Sequence, residues 1–265
     1  MLNIAYPAVD KFVSLHNHTT YSDGASSAAE LCQTAKANGL RVLGISDHWV
    51  VPPYEGTDYQ QWAMDHRRLD DYVNELKELQ KQYNDDTFTL KIGLEVDFFF
   101  ENHADTIQNL AGYNFDYLIG SVHYTGVFSV DHDSADWLPL DEDAKDKICN
   151  LYWDKLEGAA ACRDFDFIGH LDLPKKFGMI DNKKYFPRAV KVLDTIRQNG
   201  GAIEINTAGW FKNCAEPYPA PELLQAASER SIPVVISADA HCAEHLQRNF
   251  DTAAELLVRS GYNIC

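Results

Sequence analysis

The sequence predicts a single α/β domain in which parallel strands are covered by helices. Apolar, β-branched runs alternate along the 265 residues with segments of helical periodicity. Near-continuous apolar strands of this kind are typical of parallel sheets that are buried on both faces. No repeat, low-complexity tract or linker interrupts the pattern, and α/β barrels often reach this length undivided. We therefore expect one domain spanning residues 1–265.

The order of the elements follows from these runs. Strands are predicted at Phe12–His18, Arg41–His48, Thr89–Phe98, Phe115–His123, Phe165–Leu171, Ala202–Thr207 and Pro233–His241. Helices are predicted at Ala28–Asn38, His66–Tyr83, Ala104–Ala111, Glu142–Ala161, Lys184–Gln198, Pro221–Arg230 and Ala243–Ser260. The first helix has a defined start, because Ser27 and Glu30 form the pattern of a capping box, and it stops at Gly39.

The composition argues against several classes of protein. The formal net charge is −17, from 23 basic and 40 acidic residues, whereas a nucleic-acid-binding protein would need a basic surface. No apolar run is long enough to span a bilayer, and the amino terminus lacks the pattern of a signal peptide. The six cysteines form no CxxC pair and are expected to be reduced thiols. We expect a cytoplasmic protein without a membrane or nucleic-acid partner; the sequence indicates no oligomeric state.

Residue types that bind metals cluster at the ends of the predicted strands. His16 and His18 are two residues apart on the first strand, so both imidazoles point to the same side, as in many divalent-metal sites. Similar residues end or adjoin the other strands, namely Asp47, His48, Glu95, His123, His170, Glu204, Asn206, Asp239 and His241. In α/β barrels the active site lies at the carboxyl ends of the strands, so we expect these side chains to converge there.

Residues away from the strand ends have less specific roles. His66, His103, His132 and His245 fall on predicted helices or loops, where we expect them to be solvated or locally capped. The loop Trp49–Trp62 is rich in aromatic residues, proline and glycine. It could form a lid or a wall that stacks on a substrate ring, and packing as an ordinary surface loop is at least as consistent with its sequence.

Six segments resemble, in order, the motifs of the PHP (polymerase and histidinol phosphatase) superfamily. These segments are His16–Gly24, Ile45–His48, Gly93–Asp97, Ile119–His123, Ile168–Leu173 and Ser237–His241. The chain is most similar to the histidinol-phosphatase branch, through His170–Gly178 and Glu204–Gly209. The resemblance covers nearly the whole chain and implies a distorted (β/α)7 barrel with the active site at the carboxyl ends of the strands.

The resemblance also implies a centre of three divalent transition-metal ions. The ligand groups that it assigns are His16, His18, Glu95 and Asp239 for the first ion; Glu95, His123 and His170 for the second; and Asp23, His48 and His241 for the third. Glu95, Asp239 and His241 are also expected to be catalytic. Nitrogen and carboxylate ligands without a thiolate suit zinc, manganese or iron, and the ligand types do not choose between them. Asp47 is expected to orient a ligand.

The family resemblance implies a metal-dependent phosphomonoesterase, in which a metal-bridging hydroxide attacks phosphorus in line. The expected reaction converts L-histidinol phosphate and water to L-histidinol and phosphate, in histidine biosynthesis. Another small phosphorylated metabolite is the alternative substrate. A nuclease-type PHP domain and a non-catalytic metal-binding domain are the alternative classes; the net charge disfavours the first, and the intact ligand set disfavours the second.

Residues that bind the substrate are expected on the sixth strand and in the loops that follow the strands. The candidates are Lys175, Lys176 and Lys212 for the phosphate, and Glu204, Asn206, Asp131, Asp133 and Asp136 for the rest of the substrate. One position departs from the histidinol-phosphatase pattern, because Phe211 stands where an arginine is expected. Lys212 follows it, but a lysine is a point charge and lacks the arginine fork. Arg248 is a weaker candidate, since it is predicted to lie on the last helix.

Overall fold

The computed structural model describes residues 2, 4 and 6–265, and it shows a nearly closed parallel barrel surrounded by helices. The barrel strands in these residues are β1 (Val13–Ser14), β2 (Val42–Ile45), β3 (Thr89–Asp97), β4 (Tyr117–Ser121), β5 (Phe167–Ile168), β6 (Ala202–Asn206) and β7 (Val234–Ser237). Each strand pairs in parallel with the next one along the chain. The predicted fold class is therefore confirmed.

The barrel closes between β1 and β7 through residues just beyond the ends of these strands. Asn17 forms an isolated parallel bridge with Ala240. The N–H of His18 donates to the carbonyl of Ala240 at 2.9 Å, and the N–H of Ala240 donates to the carbonyl of His16 at 3.3 Å. Closure therefore fixes the segment that carries two predicted ligands against the segment that carries Asp239 and His241.

Helices and short strands cover the outside and the rims of the barrel. The helices in the described residues are α1 (Ala28–Ala37), α2 (Leu69–Tyr83), α3 (His103–Leu110), α4 (Ser134–Trp137), α5 (Glu142–Cys162), α6 (Phe186–Asn199), α7 (Pro221–Glu229) and α8 (Phe250–Arg259). The short paired strands are Ala8–Val9 with Asn263–Ile264, His48–Trp49 with β3, and Tyr124–Thr125 with Phe128–Ser129. Helix α1 begins with the predicted capping box. Within the described residues, no helix combines the length and apolar character needed to cross a membrane.

The last helix begins later than the sequence predicts. The prediction of one helix over Ala243–Ser260 is wrong in its first part, because a 3-10 turn at Ala243–His245 is followed by a loop and α8 begins only at Phe250. Asn249 has a φ of 63°. A residue in this left-handed region cannot continue a right-handed helix. Arg248 consequently lies in the loop that follows β7, not on a helix.

An apolar layer fills the barrel below the carboxyl ends of its strands. Leu15, Tyr117 and Phe167 belong to this buried layer, and the Tyr117 hydroxyl donates to the carbonyl of Leu15 at 2.5 Å. The ring of Tyr117 occupies space that the absent side chain of Gly93 leaves, since a Cβ on Gly93 would lie 2.5 Å from Tyr117 Cζ. The polar side chains of the strand ends therefore stand on a tightly packed apolar floor.

The packing of Tyr117 against Gly93 generates a stability prediction. We expect Gly93→Ala to lower the free energy of unfolding by about 1–3 kcal/mol, because overpacking a filled core forces neighbours to move. Gly112→Ala is the matched control, since a Cβ at Gly112 meets no atom within 4 Å. Urea unfolding of both variants measures the difference. Equal midpoints for the two variants would contradict the tight packing of this layer.

Candidate metal centre

The predicted metal ligands converge at the carboxyl end of the barrel. Their donor atoms form overlapping groups within which the atoms lie no more than 4.8 Å apart. The groups are His16, His18 and Glu95; His16, His170 and Asp239; His48, Glu95 and His123; and His18, Asp23, His48 and His241. Every ligand that the family resemblance assigns falls in at least one of these groups, which can hold metal ions.

Four buried atoms from four of these residues match a tetrahedral metal site. Nε2 of His16 lies 3.1 Å from Oε2 of Glu95 and 3.6 Å from Oδ1 of Asp239. Nε2 of His18 lies 3.6 Å and 3.1 Å from the same two oxygens. Ligands about 2.0–2.1 Å from a tetrahedral zinc ion are about 3.3 Å from one another. None of the four atoms has a hydrogen-bond partner within the described residues, although buried polar atoms are normally paired. The donor set therefore fits a cation.

The other carboxylate oxygen of Glu95 faces a second pair of imidazoles. Oε1 lies 2.7 Å from Nε2 of His170 and 3.7 Å from Nε2 of His123. The hydroxyl of Ser121 also donates to Oε1, at 2.6 Å. Because its two oxygens face two different ligand groups, Glu95 has the geometry of a bridging carboxylate.

Asp23, His48 and His241 form a third and more open group. Nε2 of His48 lies 3.6 Å from Asp23 Oδ1, and Nε2 of His241 lies 3.2 Å from Asp23 Oδ2. The ring of His18 stacks on both imidazoles, with centroid distances of 4.0 Å to His48 and 4.4 Å to His241. The side chains of Asp23 and His241 are 31% and 39% exposed, so this side of the centre faces solvent.

Neighbouring charged groups and burial shift the pKa values of His16 and His18 in opposite directions. Burial alone would lower the pKa of His16, but the carboxylates of Glu95, Glu204 and Asp239 raise it well above its ordinary value. Burial and two neighbouring imidazoles lower the pKa of His18 to about 3. At neutral pH His18 is therefore an uncharged imidazole, the form that can donate a lone pair to a metal. His16 reaches that form when a cation beside the same carboxylates replaces its proton, since metal binding to an imidazole releases protons.

Glu204 and Asn206 on β6 orient the ligands from below. Both side chains are fully buried. Nδ1 of His16 donates to Glu204 Oε2 at 3.0 Å, and the backbone N–H of His170 donates to Glu204 Oε1 at 2.6 Å. The amide of Asn206 donates to Glu204 at 3.0 Å and to Asp239 Oδ2 at 3.0 Å. The expectation that Glu204 and Asn206 contact substrate disagrees with this arrangement, because protein groups already occupy their polar atoms.

Asp47 holds the loop that carries Asp23. Its Oδ1 accepts hydrogen bonds from the backbone N–H groups of Thr19 at 2.8 Å and Ser22 at 3.1 Å. Its side chain is fully buried, which makes these bonds strong constraints on the loop. Asp47 thus acts on a ligand through the backbone, in line with the orienting role expected from the sequence.

Asp97 fixes the ring of His123, a role that the sequence interpretation missed. Its Oδ1 accepts the backbone N–H of His123 at 2.8 Å and lies 3.2 Å from Nδ1 of the same residue. A carboxylate in this position sets the orientation of a metal-binding imidazole. The available signal was its spacing, since Asp97 is two residues after Glu95 on one strand and points to the same side.

Lys175 does not face the centre. Its side chain is buried, and Nζ donates to the carbonyl of Pro217 at 2.7 Å. Nζ also pairs with Asp172 at 3.0 Å and with Glu216 at 3.2 Å. The expectation that Lys175 binds phosphate is therefore not supported, because its charge already neutralises the buried Asp172 and the half-exposed Glu216.

Lys176 and Lys212 lie beside the ligands. Lys176 Nζ donates to the carboxylate of Asp131 at 3.1 Å. Burial would raise the pKa of Asp131, but Lys176 and two imidazoles of the centre hold it at about 2. Burial lowers the pKa of Lys212, Lys176 lowers it further, and Asp239 opposes this shift. Both ammonium groups thus lie in the electrostatic field of the centre, and their contact with phosphate stays a prediction.

The other acidic residues of the loop after β4 have surface roles. Asp133 caps α4 by accepting the N–H of Ala135 at 2.7 Å. Asp136 pairs with His132 at 2.8 Å, and both side chains are exposed. Asp131 differs from these two residues in its surroundings, because the imidazoles of His123 and His170 help to lower its pKa.

The histidines outside the centre make local contacts, as expected. The pairs are His66 with the carbonyl of Val50, His103 with Asp164, His132 with Asp136, and His245 with Arg248. The groups that contain the predicted ligands include none of these four histidines.

The end of the aromatic loop forms a wall of the centre. The ring of Trp62 lies edge-on to His48 and His123, with centroid distances of 4.7 Å and 5.3 Å. It also stacks on Tyr124 at 6.1 Å. Of the two roles that the sequence left open for this loop, a wall beside the site agrees better with the position of Trp62.

Several known proteins are similar to this chain in sequence and in fold. The PHP domain profile matches residues 14–208. A probable histidinol-phosphatase from Deinococcus radiodurans is 37% identical over 227 residues, which cover 85% of each chain. The histidinol-phosphatase of Bacillus subtilis is 24% identical over 254 residues, covering 86% of this chain and 92% of that protein.

A solved structure agrees with the barrel described above. The histidinol phosphate phosphatase of Lactococcus lactis, in complex with zinc, L-histidinol and phosphate, superposes with a TM-score of 0.80. The two chains are 20% identical, and the superposition covers 96% of this chain and 95% of the other. The family profile and the Deinococcus relative confirm the resemblance of the motifs: the chain belongs to the PHP domain family and to the histidinol-phosphatase branch within it.

Proposed function

We propose that this protein is a metal-dependent phosphomonoesterase that hydrolyses L-histidinol phosphate to L-histidinol and phosphate. The observation that carries the proposal is a set of four buried donor atoms on His16, His18, Glu95 and Asp239, which lie at tetrahedral separations and have no hydrogen-bond partner among the described residues. The names of the relatives from Deinococcus radiodurans and Bacillus subtilis support the substrate. The Lactococcus enzyme, whose structure holds zinc with L-histidinol and phosphate, supports it as well.

We infer that the ligand groups hold three divalent ions, with Glu95 between the first and the second. Zinc, manganese and iron all suit the donor set, and the zinc of the Lactococcus structure favours zinc. Bound divalent ions would neutralise the phosphoryl oxygens and would lower the pKa of a coordinated water toward neutrality. Hydrogen bonds with four neighbouring side chains would keep the ligands in place during the reaction. These side chains are Glu204, Asn206, Asp47 and Asp97.

The ligand charges explain how so acidic a chain could bind an anion. Asp23, Glu95 and Asp239 contribute three negative charges, and the other ligands are imidazoles. Three divalent ions would contribute six positive charges, so the loaded centre would remain positive. A coordinated hydroxide (−1) and a phosphate monoester, which carries about −1.5 to −2 charges near pH 7, would together bring the centre close to neutral.

The surrounding residues suggest an orientation for the substrate. The phosphate would lie between the ligands and the ammonium groups of Lys176 and Lys212. The carboxylate of Asp131, with its pKa held at about 2, is charged at neutral pH; it already pairs with Lys176 at 3.1 Å, so the substrate amine would share this carboxylate with Lys176. The imidazole ring of the substrate would pack beside Trp62. The leading alternative is another small phosphorylated metabolite, which the replacement of an expected arginine by Phe211 favours.

Metal binding provides the first test of this function. The purified protein should contain about two to three transition-metal ions per chain, and His16→Ala should lose roughly one of them, because removing a ligand weakens both affinity and geometry. His132→Ala is the matched control, since His132 is an exposed histidine that pairs with Asp136. Elemental analysis of both variants gives the result. Equal metal content in the two variants would contradict the assignment of His16.

The bridging position of Glu95 predicts a severe effect of its substitution. Glu95→Gln removes a negative charge between two ligand groups, so hydrolysis of p-nitrophenyl phosphate should fall by more than about 100-fold while the thermal midpoint shows a folded protein. Glu78→Gln, at an exposed position on α2, should retain wild-type activity. Wild-type rates for Glu95→Gln would exclude a bridging role.

Substrate preference tests the specific assignment. We expect kcat/KM for histidinol phosphate to exceed that for glycerol phosphate by at least about 100-fold, or roughly 2.7 kcal/mol. A site that pairs the amine and the ring would leave its own polar groups unpaired with a smaller substrate. Steady-state kinetics on both esters with the same metal-loaded sample measures the ratio. Similar efficiencies would leave a phosphomonoesterase of broad specificity.

A further inference from the structure

An arginine that the sequence placed on the last helix lies instead in a loop on the side of the candidate centre. Arg248 is in the loop between β7 and α8, and its guanidinium carbon lies 3.8 Å from the centre of the Phe211 ring. Phe211 is the residue that stands where the histidinol-phosphatase pattern has an arginine. The chain therefore stacks an arginine from a different loop on the side chain that replaces the expected one.

The loop of Arg248 is tied to residues that orient the metal ligands. The hydroxyl of Thr207 donates to the carbonyl of Arg248 at 2.7 Å. Thr207 directly follows Asn206, whose amide donates to Asp239 at 3.0 Å. These contacts hold the backbone of Arg248 on the side of the barrel formed by β6 and β7.

Arg248 completes a cluster of cations in a chain whose net charge is −17. Burial lowers the pKa of Lys212, and the positive charges of Lys176 and Arg248 lower it further, whereas the carboxylates of Asp239 and Asp131 partly oppose these shifts. Like charges in one partly buried field repel each other, and an anion bound among them would relieve the repulsion. The cluster therefore favours an anionic group next to the centre.

The contacts of Arg248 leave one edge of its guanidinium group available. Nη1 interacts with Nε2 of His245 at 3.3 Å. Nε is buried, and neither it nor Nη2 has a hydrogen-bond acceptor in the part of the chain that the structure describes. Nε and Nη2 together form the side-on edge with which arginine makes two parallel hydrogen bonds to oxyanions. A buried donor without an acceptor is unfavourable, so this edge is suited to a ligand.

We propose that Arg248 binds the phosphoryl group of the substrate through Nε and Nη2, with Phe211 as the platform that holds the guanidinium plane. This inference rests on the proposed phosphomonoesterase function and refines it. The loop after β7 would thus supply the guanidinium fork that the family resemblance led us to expect after β6. Stacking on Phe211 restricts the guanidinium before the substrate arrives, which reduces the entropy lost on binding.

Kinetics of arginine variants test this role. The set is wild type, Arg248→Ala, Arg248→Lys and, as matched control, Arg259→Ala, which changes an exposed arginine in the last turn of α8. Substrates are histidinol phosphate and p-nitrophenyl phosphate, and inorganic phosphate is the competitive inhibitor. For Arg248→Ala we expect KM for both esters and the inhibition constant of phosphate to rise at least about tenfold. Arg248→Lys should recover only part of this loss, because lysine lacks the fork.

A second variant tests the platform. Phe211→Leu keeps an apolar side chain but removes the ring, so KM should rise in the same direction by a smaller factor. Metal content and thermal midpoint of all variants should match wild type, which separates phosphate binding from a structural role. Loss of metal or of stability in Arg248→Ala, in parallel with its activity, would overturn the proposal.

The failure of this inference is distinguishable from the failure of the proposed function. If Arg248→Ala and Arg259→Ala have the same KM for the esters and the same inhibition constant for phosphate, Arg248 does not bind the phosphoryl group even though the enzyme is active. If the metal-loaded wild type hydrolyses neither ester, the proposed function is wrong. Calorimetric titration of wild type and Arg248→Ala with inorganic phosphate then still decides the role of Arg248: weaker binding to the variant supports it, and equal binding overturns it.

Discussion

The buried carboxylate of Glu95 is the constraint around which the rest of the site is arranged. A charged carboxylate in a protein interior is strongly unfavourable unless opposite charges and donors surround it. Burial would raise the pKa of Glu95, and the imidazoles of His16, His48 and His123 instead lower it well below its ordinary value. Its Oε2 nevertheless keeps no hydrogen bond within the described residues. A cation would satisfy this atom, so metal binding should contribute to the stability of the folded barrel as well as to its chemistry.

The barrel makes this arrangement possible by separating apolar and polar layers along its axis. Tyr117 and the side chains around it fill the lower part, where no polar ligand is needed. The upper part receives ligands from strands that are parallel, so their carboxyl ends meet at one rim. The bridge between Asn17 and Ala240 closes this rim and brings the ends of β1 and β7 together. A tightly packed floor and a closed rim together fix the separations between the donor atoms.

The strands and the convergence of candidate ligands at one rim could be predicted from the sequence because both depend on local patterns. Period-two spacing identified His16 and His18, and most of the other candidates lie at or near a strand end; Asp23, in the loop that follows β1, was assigned only through the family resemblance. The errors concern contacts between distant segments. No local pattern shows that Asp172 and Glu216 neutralise the charge of Lys175. Nor does a local pattern show that the carboxylate of Glu204 is already hydrogen-bonded to His16. The late start of α8 depends on the left-handed backbone of Asn249, which the helical periodicity of that region conceals.

The charges around the rim explain how an acidic chain can distinguish the two ends of a small zwitterionic substrate. Lys176, Lys212 and Arg248 follow β5, β6 and β7, so the cations occupy one side of the centre. Trp62 and Tyr124 follow β2 and β4 and form an aromatic wall on the other side. If the cations bind the phosphate of the substrate, the attached ring would point toward the aromatic wall. The acidic remainder of the surface would repel anions elsewhere, which leaves the centre as the place where a phosphate ester is most favourably bound.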